Sequence, residues 1–247
     1  ALGDVPARQT TGEGTTVVAP GDLLQDVRWS QTPDADVTGG ATVEISIPRL
    51  AGAVVADGKL DESVWETAAL ATDFQLHKGG KPKQQTRVRV FADDTHLNVS
   101  FVCDEEYMGQ ITATVTEPGG PVWQDDCVEI FIDANRDRKS FYQIVVNSLG
   151  TAMTTRDPGG TWRPKLDVAA VQGKTSWTAE IRIPLSELDL AGSTMGLNFC
   201  RERRPMEVME LSCWSPTGGA FGQPDKFGTA HFGTPYLRNL RLGAARI

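Results

Sequence analysis

The sequence predicts an all-β fold: an antiparallel, jelly-roll-like β-sandwich of immunoglobulin size or larger, carrying one or two short helical turns. Two observations carry that prediction. Alternation of apolar and polar residues recurs along most of the chain, as in Thr86-Arg-Val-Arg-Val-Phe91, and such alternation marks half-buried strands. Gly, Pro, Asn or Asp separates most of these runs, a punctuation that favours a sandwich or barrel over βαβ units.

Residues 1–42 read differently. Gly, Thr, Pro and Asp dominate there with little periodicity, so the stretch is expected to be a linker or extended arm. The sandwich is expected over 43–235, followed by a C-terminal strand or tail over 236–247. Strands are expected at 86–91, 97–103, 111–115, 126–132, 141–147, 167–171, 176–183, 196–203, 209–214 and 227–232. Helix is scarce: 61–70 can form one or two turns with Asp61 as N-cap, and 185–190 another after Pro184.

The bulk numbers exclude several classes. A formal net charge of −8 disfavours nucleic acid, whose phosphates reward clustered Lys and Arg. No apolar run approaches the roughly 20 residues that span a bilayer. Ala1 to Arg8 lack the basic-then-apolar pattern of a signal peptide; a cleaved leader and an excised domain both leave such a start. The four cysteines (Cys103, Cys127, Cys200 and Cys213) show no zinc-like spacing. Cys200 and Cys213 can face each other across a hairpin, as free thiols or as a disulfide.

Within 126–133, Val128, Ile130 and Ile132 point to one face and Cys127, Glu129 and Phe131 to the other. The next strand places Gln143, Val145 and Asn147 on one side, and 196–203 places Asn198, Cys200 and Glu202 on one side. If these strands are neighbours, one sheet face collects Glu129, Gln143, Asn147 and Asn198. Such a face suits a sugar, whose hydroxyls need paired donors and acceptors; the same groups can equally satisfy loops. A pyranose also needs an aromatic platform. Of six Trp, Trp65, Trp177 and Trp214 sit in regular patterns and read as core. Trp123 lies in a Gly/Pro-rich loop before the strand bearing Glu129. Trp162, in another loop, is either a platform or a cap on the core.

Four segments in fixed order carry a resemblance. They are Val54-Val-Ala-Asp-Gly-Lys-Leu-Asp-Glu-Ser-Val-Trp65, the run 86–102, Trp123-Gln-Asp-Asp-Cys-Val-Glu-Ile-Phe-Ile-Asp133, and the set Trp177–Pro184, Cys213–Pro216 and Pro224–Gly228. Together this set resembles the family 9 carbohydrate-binding modules and the related sugar- and haem-binding sandwiches. The resemblance implies non-catalytic binding of an oligo- or polysaccharide by an accessory module of a larger secreted, periplasmic or cell-surface protein. It puts one aromatic wall of a sugar clamp on Trp123 and the second on Phe221, where the better-known pattern has Trp. A basic site residue falls on Val145 and an amide on Cys200, both departures from the pattern that goes with the family's terminal-sugar specificity. It further implies structural Ca²⁺, for which Asp57, Asp104, Asp125 and Asp126 are oxygen donors of the right kind.

Other readings compete. A docking sandwich without sugar affinity is one. A haem-binding electron-transfer domain using Met108 with His77 or His96 is another. A glycosidase would need a second carboxyl at a set distance from Glu129, and no nucleophile elbow or Ser/His/Asp order is present.

Overall fold

The computed structural model describes residues 43–206 and 209–233; the arm expected over 1–42 and the tail over 236–247 lie outside the described residues. Among the described residues the alternating runs become thirteen strands in two sheets. The first sheet runs β1 (Glu44–Ile47), β13 (Gly228–Phe232), β11 (Thr194–Arg203), β6 (Cys127–Asp133), β7 (Phe141–Asn147), β8 (Ala152–Asp157). Strand β12 (Glu210–Cys213) also pairs with β11, and β3 (Gln75–Leu76) with β12. The second sheet runs β2 (Ala69–Ala71), β4 (Thr86–Ala92), β5 (His96–Asp104), β10 (Ser176–Pro184), β9 (Asp167–Gln172). Every strand pair is antiparallel except β1 with β13, which is parallel. That exception corrects the purely antiparallel expectation. Parallel partners need a long crossover, and here nearly the whole domain separates the two strands.

The core lies between the inward rows. Val128, Ile130 and Ile132 of β6 and Tyr142, Ile144 and Val146 of β7 meet Val99 and Phe101 of β5 and Trp177 and Ile181 of β10. Phe101 and Phe199 join the two sheets edge to face, ring centroids 5.9 Å apart. At one end the core is sealed by charge. Glu105, fully buried after β5, accepts from Arg203 Nε at 2.7 Å and Nη2 at 2.8 Å, and from Arg201 Nη2 at 3.3 Å.

The opening motif covers the outside of the second sheet. Glu180 on β10 accepts the N–H groups of Asp57 (3.0 Å) and Gly58 (2.8 Å) and the indole N–H of Trp65 (3.1 Å). Gly58 is left-handed (φ +82°), and a Cβ there would lie 2.9 Å from the Ala170 carbonyl carbon. The Asp-Gly turn is therefore fixed both by conformation and by space. Trp65 then packs edge-on against Phe91 at 5.1 Å.

Two local expectations change, and β8 is not among the expected strands. Residues 111–115 are not a strand, because Asp126 takes the N–H of Thr112 and Asp125 those of Thr114 and Val115. Side-chain carboxylates thus replace a ladder. The helix expected over 61–70 is a single turn, Val64–Thr67, with Ser63 rather than Asp61 at its N-cap. The chain then enters β2 instead of continuing the helix. Strand β8 (Ala-Met-Thr-Thr-Arg-Asp) lacks apolar alternation because it is a partly exposed edge.

Removing Glu105 would leave Arg201 buried without its carboxylate and Arg203 with only Glu210, 3.8 Å away. Glu105→Ala is expected to lower unfolding free energy by about 3–5 kcal/mol, measured by urea denaturation. A change under about 1 kcal/mol would show that the cluster does not hold the sheets together.

Candidate functional site

Strand β6 positions the site through its outward row. Glu129 faces Val145 on β7 and Cys200 on β11; Phe131 faces Gln143 and Asn198; Cys127 faces Asn147 and Glu202. One strand further out, Gln143 is opposite Thr155 on β8, and Cys200 is opposite Cys213 on β12. The 3₁₀ turn Val122–Gln124 lies on this face. Val122 is fully buried against Cys127 and Val145. With its neighbour anchored, Trp123 stands 47% exposed. Among the described residues the other exposed large hydrophobics are aliphatic: Val55, Leu149, Val171, Met206 and Met209.

A hydrogen-bonded line crosses the same face. Thr155 Oγ1 donates to Gln143 Oε1 at 3.0 Å, which aims the Gln143 amide N–H at Glu129 Oε2, 2.7 Å away. Glu129 is hydrogen-bonded to Glu202 in turn. Arg204 Nη2 bonds Glu202 Oε2 and the Trp123 carbonyl, each at 2.6 Å, and its Nε bonds the Asp125 carbonyl at 2.9 Å. The line therefore runs from the sheet edge to the backbone beneath the exposed indole.

Glu129 is 2% exposed. Burial, and then repulsion from Glu202, push its pKa up to about 8, against the Gln143 hydrogen bond. Burial also raises Glu202, while Arg204 and Glu129 pull it down. The two carboxyls titrate as a pair. Both shifts favour retention of a proton on the pair, most strongly at Glu129.

The other expected residues divide. Gln143 joins the line at its partly exposed edge, whereas Glu129 forms its covered floor instead of an open acceptor. Asn147 is fully buried, its amide donating to the Val115 carbonyl and to Asp125, both at 2.8 Å. Asn198 is equally buried and pairs with the Ser215 backbone in both directions. Both amides hold loops. Trp162 is 9% exposed, tilted on Tyr142 at 4.7 Å, its indole N–H on the Glu187 carbonyl; it caps the core. Phe221 is 8% exposed, set among Phe131, Phe141 and Phe227 with His77 at its edge.

The acids named for Ca²⁺ each have protein partners. Asp104 is paired with both Arg87 nitrogens, at 2.8 and 2.7 Å. Asp57 is paired with Lys59 at 3.0 Å. Asp125 accepts from Thr114, Val115 and Asn147. Burial opposes its ionisation, but those bonds outweigh it and hold its pKa below the ordinary carboxylate value. Asp126 accepts the N–H groups of Thr112 and Arg204, and burial still raises its pKa. Among the described residues no three His, Cys, Asp or Glu side chains converge as a metal centre.

Sequence reasoning missed Glu202, Arg204 and Thr155 as site residues. Glu202 already shared a face with Asn198 and Cys200 in the alternation. Arg204 was hidden in a broken basic run, since nothing local says that its guanidinium reaches residue 123. Cys200 and Cys213 do face each other, as free thiols. Recesses occur elsewhere, one of about 380 Å³ lined by Arg49, Leu50, Ala51, Gly52, Asp93 and Asp94, but it presents no aromatic surface. No helix among the described residues is long and apolar enough to cross a membrane.

The described residues thus form a two-sheet sandwich with one raised indole beside an ordered polar row. The chain belongs to the family described as carbohydrate family 9 binding domain-like, whose profile matches residues 55–233. It is 26% identical over 219 residues to endo-1,4-beta-xylanase A of Thermotoga maritima, which covers 81% of this chain and 20% of that protein. The chain thus spans about a fifth of the length of the curated relatives it matches. A family 9 module from Caldicellulosiruptor kristjanssonii, solved with cellotriose, superposes with TM-score 0.56 at 21% identity, covering 76% of this chain and 93% of the other. A Bacteroides uniformis structure to which carbohydrate binding is ascribed gives TM-score 0.62 at 20% identity, over 78% and 100%.

The raised pKa of Glu129 fixes a sign. Its contribution to stability is fully present below its ordinary value of 4.5 and is lost as pH rises through about 8. Glu129→Gln keeps a donor toward Glu202 and an acceptor for Gln143 without an ionisable proton. Its melting temperature relative to the parent is expected to rise by a few degrees between pH 5 and pH 9, by scanning calorimetry. A difference that stays flat with pH would show that Glu129 ionises normally.

Proposed function

We propose that the outer face of the first sheet binds an oligo- or polysaccharide, with Trp123 as the stacking platform. The observation that carries this reading is the position of that indole, raised to 47% exposure by an anchored turn. Among the described residues Trp123 is the one exposed large aromatic, and a fold that leaves such a ring on an anchored support has a use for it. The apolar C–H face of a pyranose stacks on the indole. Gln143, Glu202 and Thr155, all partly exposed, meet its hydroxyls as donors and acceptors. Glu129 acts from beneath by fixing the orientation of the Gln143 amide and the Glu202 carboxylate.

Support for the ligand class comes from the family and from two relatives: the xylanases it resembles act on a β-1,4-linked polymer, and the Caldicellulosiruptor module was solved with cellotriose. A β-1,4-linked glucan or xylan is the class proposed. The module's place is as an accessory domain of a longer, secreted carbohydrate-active protein, in which catalysis resides elsewhere. Calcium has no part in this reading.

Trp123→Ala is expected to weaken binding of cello- or xylo-oligosaccharides at least about tenfold, a loss of about 1.4 kcal/mol, with the unfolding midpoint unchanged. Titration calorimetry and urea denaturation measure the two quantities. A parent protein that binds no member of a broad glycan panel would instead leave a docking sandwich.

A further inference from the structure

Strand β12 is short and lies off the main path of the first sheet, paired with β11 on one side and with the two-residue β3 on the other. Its register sets Cys213 directly opposite Cys200. The Trp214 N–H donates to the Phe199 carbonyl at 2.8 Å. That bond makes Phe199 and Trp214 a hydrogen-bonded pair of the ladder and leaves Cys200 and Cys213 as the adjacent non-hydrogen-bonded pair. In such pairs the Cα atoms come to about 4.5 Å and the side chains stand closest. A disulfide requires Cα atoms roughly 4.4–6.8 Å apart, so a bond can close here with the register unchanged. The Cys200 thiol is already hydrogen-bonded to the Cys213 sulfur. We infer that Cys200 and Cys213 are a disulfide-forming pair whose bond clips β12 onto β11.

The other two thiols have no comparable partner. Cys127 lies opposite Glu202 and Asn147, which makes it a diagonal neighbour of Cys200, and such neighbours are about 7–8 Å apart. Cys103 belongs to the other sheet, opposite Trp177 and Thr86, and packs into the main core. Cys200 and Cys213 instead share the separate cluster of Phe131, Phe141, Phe221 and Phe227.

Closure by a small disulfide such as oxidised glutathione takes two exchanges. The Cys213 thiolate attacks the oxidant's S–S bond, forms a mixed disulfide and expels one small thiolate, which takes up the Cys213 proton. The Cys200 thiolate then attacks the Cys213 sulfur and expels the second small thiolate, which takes up the Cys200 proton. The protein loses two electrons and two protons, and the oxidant gains both as two thiols. Cys213 is the better first nucleophile, because the hydrogen bond from Cys200 lowers its pKa, whereas burial raises that of Cys200 well above the usual thiol range. Both residues are fully buried, so exchange waits on the opening of β12. That strand is held by only four pairs to β11 and two to β3, and elements with so few contacts open locally at low cost.

The test uses the whole chain, incubated with excess oxidised glutathione, then alkylated in denaturant and examined by intact mass and peptide mapping. Two of the four cysteines are expected to escape alkylation, with residues 200 and 213 linked to each other, and prior reduction is expected to expose all four. The linked chain is expected to melt about 5–10 °C above the reduced chain. The Cys200→Ala/Cys213→Ala double variant is expected to melt at one temperature whether oxidised or reduced. Four alkylated cysteines after oxidation would overturn the inference, as would a linkage that uses Cys103 or Cys127, or glutathione retained on Cys213 as a stable adduct. Equal melting temperatures for the linked and reduced chains would show that the bond does not clip the strand.

Discussion

Strand β6 has no solvent side: all seven of its residues are buried. The rest of the site follows from that constraint. Its inner row is apolar and needs only the facing sheet, but its outer row contains a carboxyl group. An ionised, unpaired carboxylate there would cost several kcal/mol. The fold answers with a partner on each side, Gln143 from β7 and Glu202 from β11, and with a pKa raised in favour of keeping the proton. Arg204 then compensates Glu202 and ties the pair to the loop that carries Trp123. The polar line across the sheet is thus the means by which a doubly buried strand tolerates Glu129.

The same logic makes the Trp123 platform stiff. Asp125 and Asp126 look like loop acids, yet their oxygens collect backbone N–H groups from Thr112, Thr114, Val115 and Arg204. The segment 111–115 is held along β6 without joining a sheet. Asn147 pins the same loop from β7. A ligand that meets Trp123 meets a turn already fixed from beneath, so little loop ordering is charged against its binding.

How far the sequence reached follows from the range of each signal. Period-2 alternation is local, so 86–91, 97–103 and 141–147 and the facing of Val128, Ile130 and Ile132 were legible to within a residue or two. The same alternation brought Glu129 and Gln143 to one face, where they hydrogen-bond. It could not say which polar groups on that face were spoken for. Asn147 and Asn198 had the right phase, but their amides are consumed by Val115, Asp125 and Ser215, partners set by loop conformation. Asp104 and Asp125 had the chemistry for a cation, and alternation could not show that their oxygens meet Arg87 and the backbone N–H groups of Thr114 and Val115. The run 111–115 had strand composition and met carboxylates instead of a neighbouring strand. Contacts across many residues, such as Arg204 to Trp123, left no local trace.

Phe221 shows why counting aromatics on a face is not enough. Burying a phenylalanine side chain contributes about 1.5–3 kcal/mol to folding, and its edge contacts with Phe131 and His77 add to that. The area that yields this stabilisation has already left water in the unliganded protein. It cannot be removed from water a second time by a sugar, and exposing it to form a second wall would return what folding gained. Trp123 is in the opposite position: its exposed surface is still available, and its turn is stabilised through Val122, Arg204 and Asp125 without using the indole. One ring therefore serves the fold and the other is free for a ligand. That asymmetry, more than the identity of either residue, decides which ring still has surface to offer.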